Sequence, residues 1–210
     1  MSDNDGGVSY VMSRDIPGAF VECGVGDGGF EELWIQALAR WRKPRDIVMY
    51  DTFAGLTKPG VFDYTRKDSK FYHMDRDTVM QEWEANKINE TANAWCLTPL
   101  ETVKARLEAT GYPKEKLRYI VGDVAETLKY SSNIPESIAI LRLDTDWYES
   151  SKVELEVLYP KVVSSGIIQF DDYYHWDGQR RATDEYFARR GIVPNILPVG
   201  NGKTGYMIKQ

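Results

Sequence analysis

Acidic residues follow two apolar runs of this sequence, at the point where each run ends. Asp144 and Asp146 close the run I-A-I-L-R-L-D-T-D. Asp171 and Asp172 close the run G-I-I-Q-F-D-D-Y. Short β-branched runs of this kind are typical of strands buried in a parallel sheet, whose ligands bind beyond the carboxyl ends of the strands. Because carboxylate oxygens are good ligands for hard divalent cations, these acids predict a site for a metal ion such as Mg²⁺.

A glycine-rich turn follows another apolar strand upstream of these acids. Gly24, Gly26 and Gly29 match the pattern G-x-G-x-x-G, which lets the backbone approach a nucleotide-like cofactor. Asp51 ends the next strand, at about the offset of an acid that binds both ribose hydroxyls. The pattern alone fits NAD or S-adenosylmethionine (SAM). Glu22 favours SAM, because a carboxylate at this position would attract an amino-acid ammonium and repel a pyrophosphate.

A second pattern favours a different class of enzyme. Tyr148 and Lys152 have the Y-x-x-x-K spacing of short-chain dehydrogenases, in which the lysine lowers the pKa of the tyrosine. The first turn of those enzymes has the pattern T-G-x-x-x-G-x-G, which this sequence lacks. They also place a serine near 134–136, where this chain has Ile-Pro-Glu. Since two residues one helical turn apart meet the spacing easily by chance, an NAD(P)-dependent oxidoreductase is the alternative interpretation.

Composition narrows the class of protein further. The 210 residues, of which 42% are hydrophobic, predict one core and one domain spanning 1–210. The net charge of −6 and the pI of 5.1 argue against nucleic-acid binding, which needs a basic surface. Cys23 and Cys96 are too few for a disulfide framework, and no apolar run reaches membrane-spanning length. We therefore expect a cytoplasmic protein without a membrane partner.

Apolar runs and amphipathic segments alternate along the chain, which predicts an α/β fold. The runs at 19–23, 47–51, 117–121, 138–143 and 166–170 are the predicted strands of a mostly parallel sheet. The predicted helices cover 30–41, 97–111, a short stretch after Asp123, 148–159 and 179–190. Gly200-Asn201-Gly202 between two apolar runs predicts a terminal antiparallel hairpin. Residues 57–96 lack clear periodicity, so we interpret them as a lid or acceptor-binding insertion.

Four motifs together resemble the macrocin O-methyltransferase family. They are V-E-C-G-V-G-D-G-G, Y-D-T-F-A-G-L, L-R-L-D-T-D-W-Y-E-S and L-Y-P-K-V-V-S-S-G-I-I-Q-F-D-D-Y, and the similarity covers about residues 19–192. The resemblance implies a class I methyltransferase fold, a Rossmann-like sheet of seven strands with a C-terminal antiparallel hairpin. It also implies SAM- and Mg²⁺-dependent methylation of a deoxysugar hydroxyl, with rhamnose as an example of the acceptor. The acceptor could be free or part of a glycan, and a catechol-type acceptor is the alternative.

The resemblance also assigns residues to the site. It implies that Asp144, Asp171 and Asp172 bind the metal. The cofactor contacts expected from the motifs and their neighbours are Glu22, Gly24, Gly26, Asp51, Thr52, Asp123 and Val124. Three carboxylates leave positions on an octahedral Mg²⁺ for substrate hydroxyls and a water. The chain is expected to be a homo-oligomer or a domain of a larger glycan-modifying protein.

The proton acceptor has three candidates. A sugar hydroxyl does not ionise unaided, so the reaction needs both a bound cation and a base. Asp144 is favoured by the resemblance, and His175, close in sequence to the metal ligands, is the second catalytic candidate. Asp146 is the third. The aromatic residues of D-D-Y-Y-H-W are candidates for stacking on a sugar face.

Overall fold

The computed structural model describes residues 5–200 and 202–210, and its centre is a seven-stranded sheet in the order β3-β2-β1-β4-β5-β7-β6. The strands are β1 (Ala19–Cys23), β2 (Ile47–Asp51), β3 (Leu117–Val121), β4 (Ile138–Leu143), β5 (Val162–Phe170), β6 (Leu197–Val199) and β7 (Thr204–Ile208). Strands β1 to β5 pair in parallel, whereas β7 runs antiparallel to both β5 and β6. The predicted class I sheet with its terminal hairpin is confirmed, and Asn201 of that hairpin lies outside the described residues.

Helices cover both faces of the sheet. They are α1 (Val8–Ser13), α2 (Gly29–Ala39), α3 (Arg76–Ala85), α4 (Leu100–Ala109), α5 (Val124–Thr127), α6 (Tyr148–Val157) and α7 (Asp177–Arg189). Buried residues of α1, α2 and α4 form one hydrophobic core with the first face, and those of α6 and α7 form a second core with the other. Because both faces are covered, β1 and β4 are buried along their whole length, which explains why they are apolar except at Glu22 and Arg142. Every helix within the described ranges is too short or too polar to cross a bilayer.

The strand order places a crevice at the carboxyl ends of β1 and β4. Strand β1 lies between β2 and β4. The chain adds β2 and β3 on one side of β1 and then crosses over to add β4 and β5 on the other. Such a switch point leaves the loops after the two central strands diverging, which opens space for a ligand. The glycine turn follows β1, and the acids at 144–146 follow β4. The fold therefore brings the two predicted halves of the site to the same rim.

Three differences from the predicted elements have physical causes. Strand β5 begins at Val162 rather than near 166, because Val162 already pairs with Ile138 of β4. An irregularity follows, in which Ser165 adopts a positive φ of 65°, and the pairing with β4 resumes at Ile167. Helix α1 is only six residues long, too short for a periodic signal. Helix α3 was not predicted either, since only Val79 and Trp83 are buried on it and its sequence is otherwise polar.

The base of the predicted insertion at 57–96 is attached to the start of α6. The carboxylate of Asp63, which is 1% exposed, accepts hydrogen bonds from the backbone N–H groups of Gly60 (2.6 Å) and Tyr148 (2.8 Å). Trp147 Nε1 donates to the Thr57 carbonyl at 2.8 Å. These bonds satisfy an orphan N–H at the first turn of α6 and hold the segment against the rim of the sheet. A role as lid or acceptor-binding segment stays a prediction.

Asp63→Ala should destabilise the protein by roughly 1–2 kcal/mol, because it leaves two partly buried backbone N–H groups without an acceptor. Urea denaturation followed by circular dichroism measures the change in the free energy of unfolding. Asp68→Ala, in the same segment, is the control, since that side chain is 72% exposed and pairs with Arg66 at the surface. Equal stabilities of the two variants would contradict the anchoring role of Asp63.

Candidate active site

A cavity of about 290 Å³ lies beyond the carboxyl ends of β1, β2 and β4. Its lining contains most of the residues predicted for the site, namely Gly24, Gly26, Asp51, Thr52, Asp123, Val124, Asp144 and Asp171. Asp146 and Lys203 also line it. Glu22, Asp172 and His175 lie outside the lining. Six of the seven predicted cofactor residues and two of the three predicted metal ligands therefore face one space.

Two glycines shape the wall of this cavity for different reasons. Gly24 has a φ of 85°, and a Cβ atom there would lie 2.0 Å from the carbonyl oxygen of Asp144. Glycine at this position thus lets the ends of β1 and β4 approach each other. Gly26 also has a positive φ, 56°, but a Cβ atom there would meet open space. A side chain at position 26 would therefore take up room on the open side of the turn.

Asp51 holds the glycine turn in place. Its Oδ2 accepts hydrogen bonds from the backbone N–H groups of Val25 (2.7 Å) and Gly26 (3.3 Å), and its Oδ1 accepts one from Phe53 (2.6 Å). Burial raises the pKa of Asp51, although these N–H donors favour the charged form. The sequence predicted a ribose ligand here, and the structure adds a structural role. Asp123 has a comparable local role, because its side chain caps α5 by accepting from the N–H of Ala125 at 2.8 Å.

The three predicted metal ligands converge. One side-chain oxygen from each of Asp144, Asp171 and Asp172 lies within 4.8 Å of the other two. Asp171 and Asp172 directly follow β5, where the strand ends and neighbouring side chains are no longer forced to opposite faces. Asp172 is completely buried, and its Oδ2 accepts no hydrogen bond from the described residues. A buried carboxylate oxygen without a donor, beside two further carboxylates, fits a divalent cation.

Arg142 lies in the middle of these acids. Its guanidinium donates to Glu22, to Asp144 Oδ2 at 2.6 Å and to Asp171 Oδ1 at 2.5 Å. The ring of Phe30 lies 4.2 Å from the guanidinium carbon. Burial alone would raise the pKa of Asp171, but the nearby cations outweigh it and hold that pKa at about 2. Arg142 was not predicted as a site residue, although a single arginine inside the apolar run I-A-I-L-R-L was the available signal.

Arg142 also determines the surroundings of Glu22. The Glu22 side chain is 1% exposed and faces the guanidinium rather than the cavity. The sequence predicted a cofactor ammonium opposite this carboxylate, and in the structure the cation opposite it is Arg142. Direct contact between Glu22 and a cofactor would require the arginine to move. Burial raises the pKa of Glu22, and the neighbouring carboxyl of Glu31 adds to the effect.

The candidate bases have different surroundings. His175 is 1% exposed, its Nδ1 lies 2.8 Å from the Ser69 hydroxyl, and burial lowers its pKa. Asp146 lines the cavity and has a left-handed backbone with φ of 64°, which is uncommon outside glycine. Burial raises the pKa of Asp146, and the negative charge of Asp172 adds to it. Strained backbone at a cavity wall is a frequent feature of functional positions.

The dehydrogenase-like pair lies away from this cavity. The Tyr148 hydroxyl donates to Glu185 at 2.7 Å, and the Lys152 ammonium is 5.6 Å from the Tyr148 ring. Neither residue lines the cavity. The Y-x-x-x-K spacing therefore reflects two neighbours on one turn of α6 rather than a proton-transfer pair at the site.

The sheet order, the glycine turn after β1 and the antiparallel hairpin define a class I methyltransferase fold. The family model for macrocin-O-methyltransferase (TylF) matches residues 1–206, and the chain belongs to that family. The structure titled as the O-methyltransferase NovP superposes with a TM-score of 0.77 at 27% identity, covering 97% of this chain and 76% of that one. CalS11, titled a calicheamicin methyltransferase, shares the fold with a TM-score of 0.66 at 22% identity, covering 95% of this chain and 75% of that one.

Curated relatives agree with this family. An 8-demethyl-8-(2,3-dimethoxy-alpha-L-rhamnosyl)-tetracenomycin-C 4'-O-methyltransferase of Streptomyces olivaceus is 29% identical over 194 residues, 91% of this chain and 66% of that protein. Demethyldecarbamoylnovobiocin O-methyltransferase of Streptomyces niveus is 28% identical over the same share of each chain. The chain thus spans about 66% of the length of these curated relatives.

Glu154 is a buried acid beside the cavity that sequence reasoning did not find. It is 0% exposed on α6, and its Oε1 accepts a hydrogen bond from the Thr145 hydroxyl at 2.8 Å. Burial raises its pKa to about 8. Its folded pKa therefore lies above its unfolded one, so the folded state binds more protons and stability falls as pH rises between about 4.5 and 8.

Glu154→Gln removes this titration and should gain stability relative to the unmodified protein as pH rises. We expect the stability of the variant relative to the unmodified protein to rise by roughly 4 kcal/mol in the free energy of unfolding between about pH 5 and about pH 8.5. Urea denaturation at both pH values measures it. Glu149→Gln, on the same helix with a 71% exposed side chain, is the control. A pH-independent difference would show that Glu154 is ionised throughout this range.

Proposed function

We propose that this protein transfers a methyl group from SAM to a hydroxyl of a sugar and that it needs a divalent cation, Mg²⁺, for the reaction. The observation that carries the proposal is the convergence of Asp144, Asp171 and Asp172 beside a cavity whose wall is the glycine turn. Family membership supports methyl transfer. The unpartnered, buried Oδ2 of Asp172 supports the cation.

The cofactor cavity offers contacts along its length. SAM supplies the methyl group when it is bound. Gly24 and Gly26 provide a backbone surface without side chains, and Asp51 is the acid for the ribose hydroxyls. Asp123 and Val124 follow β3 and are proposed to contact the adenine. Thr52 lines the cavity next to Asp51, on the side proposed for the ribose, and its hydroxyl donates to the Gly55 carbonyl at 2.7 Å.

A deoxyhexose such as rhamnose is the proposed acceptor class. The Streptomyces olivaceus relative is named for a rhamnosyl acceptor, and 91% of this chain aligns with it. The three carboxylates suit an acceptor with neighbouring hydroxyls, because an octahedral ion held by three ligands keeps positions for further oxygens. Sugars carry such pairs of hydroxyls.

We assign proton removal to Asp146 rather than to Asp144 or His175. A bound divalent ion lowers the pKa of a hydroxyl that it contacts. Asp146 lines the cavity and has a raised pKa, which brings it closer to the working pH of a general base. Asp144 already accepts a hydrogen bond from Arg142, and the ring of His175 lies outside the cavity lining. Asp146 thus lines the cavity without being one of the three proposed metal ligands, and we propose that its carboxylate takes the proton.

Asp171→Asn should lower methyl transfer by roughly a thousandfold or more, since it removes a charged ligand of the cation that activates the acceptor. SAM binding should change little, because the glycine turn and Asp51 are untouched. EDTA should abolish activity of the unmodified enzyme, and added Mg²⁺ should restore it. Transfer from radiolabelled SAM to a panel of deoxysugar glycosides measures this, with Glu149→Gln as the control. Full activity of the EDTA-treated enzyme would refute the metal requirement.

Asp51→Asn should raise the dissociation constant for SAM by about ten- to a hundredfold, because the amide retains one acceptor oxygen where the carboxylate uses two. Isothermal titration calorimetry with SAM and with its demethylated product measures the change. The control is Asp27→Asn in the same loop, whose 70% exposed carboxylate pairs with Arg106 outside the cavity. Equal affinities of the two variants would place the ribose elsewhere.

A further inference from the structure

Lys203 reaches the proposed metal ligands from a different part of the fold. It lies in the turn between β6 and β7, directly before β7 begins at Thr204. Its ammonium is 2.6 Å from Asp172 Oδ1 and 3.1 Å from Asp171 Oδ2, and its side chain lines the cofactor cavity. The lysine therefore places a positive charge between two of the three carboxylates that are proposed to hold Mg²⁺.

This ammonium and a divalent ion need the same oxygens. Asp171 Oδ1 accepts hydrogen bonds from Arg142 (2.5 Å) and from the Thr204 hydroxyl (3.2 Å), and Asp171 Oδ2 accepts one from Lys203. Both oxygens of Asp171 thus already have cationic partners. A metal that binds Asp171 has to share an oxygen with one of these cations or replace it, and two cations in one small space repel each other.

Of the two cations, Lys203 is the one that can leave. The Arg142 side chain is 9% exposed, bonds to three carboxylates and lies against the Phe30 ring, so its departure would leave several buried charges without a partner. The Lys203 side chain is 29% exposed and ends a flexible four-carbon stem. The lysine side chain can therefore rotate its ammonium into solvent while the strands keep their positions.

We propose that Lys203 is an internal occupant of the metal site, which holds Asp171 and Asp172 together before a divalent ion arrives and is displaced when the ion binds. This inference rests on the proposed metal requirement and adds a competitor for the site. Two consequences follow. The metal affinity is lower than the three carboxylates alone would give, and the site keeps its arrangement in the metal-free protein because the lysine offsets the repulsion between the acids.

Direct metal binding tests the competition without a catalytic assay. The free Mn²⁺ signal in electron paramagnetic resonance, and calorimetric titration with Mg²⁺, give dissociation constants for the unmodified protein and for Lys203→Met. Methionine keeps much of the length of lysine and removes its charge. We expect Lys203→Met to bind Mn²⁺ roughly tenfold more tightly or better, because the ion no longer displaces an ammonium. Lys203→Arg keeps the charge and should bind Mn²⁺ about as weakly as the unmodified protein.

Lys209→Met is the matched control, because it removes one positive charge from the other end of the same hairpin. The Lys209 ammonium bonds to the carbonyls of Tyr159 (3.0 Å) and Val162 (2.7 Å), away from the acids. Its dissociation constant for Mn²⁺ should equal that of the unmodified protein. If Lys209→Met also tightened Mn²⁺ binding, the gain would come from net charge, and the assignment of Lys203 as an occupant would be wrong.

Thermal melting supplies the second measurement. Metal-free Lys203→Met should melt at a lower temperature than the unmodified protein, and saturating Mn²⁺ should raise its melting temperature by more. Equal or weaker Mn²⁺ binding by Lys203→Met, with clear binding by the unmodified protein, overturns the inference and leaves the metal mechanism intact. Absence of Mn²⁺ binding in both proteins refutes the metal requirement and this inference together.

Discussion

The buried guanidinium of Arg142 is the interaction on which the rest of the site depends. A charge in the middle of a central strand is stable only if oppositely charged groups surround it. Glu22 on β1 and Asp171 after β5 come from the two strands beside β4, and Asp144 comes from β4 itself. The arginine thus fixes the carboxyl ends of three neighbouring strands relative to one another. The position of the acids is therefore a property of the sheet rather than of flexible loops.

The balance of charge around this arginine explains why the site suits a cation. Asp144, Asp146, Asp171 and Asp172 lie close together, and Glu22 accepts from the same guanidinium nitrogen as Asp144. Arg142 and Lys203 are the cations that contact these acids within the described residues. Burial raises the pKa values of Asp144 and Asp146, and the neighbouring carboxylates raise them further. Carboxylates in excess of their cations either take up protons or bind a metal ion.

Much of this arrangement could be predicted from the sequence, because strand ends and glycine turns are local signals. The runs before Asp51, Asp144 and Asp171 marked three strands, and the rule that parallel strands end at one rim brought their acids together. Pairings that depend on the neighbouring strand were not predictable in the same way. The partner of Glu22 follows from the register between β1 and β4, which pairs Glu22 with Arg142 and which no pattern within either strand reveals. For the same reason Lys203, some thirty residues after Asp171, could not be connected to the acids.

Several residues of the rim have structural and chemical roles at once, and this limits how each role can be optimised. Asp51 uses one carboxylate oxygen to hold the backbone of the glycine turn and the other to accept from the Phe53 N–H, so a ribose can bind only by sharing oxygens that already have donors. Asp146 keeps a strained backbone beside other negative charges, an arrangement that destabilises the fold but points a carboxyl group into the cavity. The bonds of Asp63 and Trp147 attach the neighbouring segment near this rim. Rigid attachment at this point supplies the stability that the strained, highly charged wall of the cavity lacks.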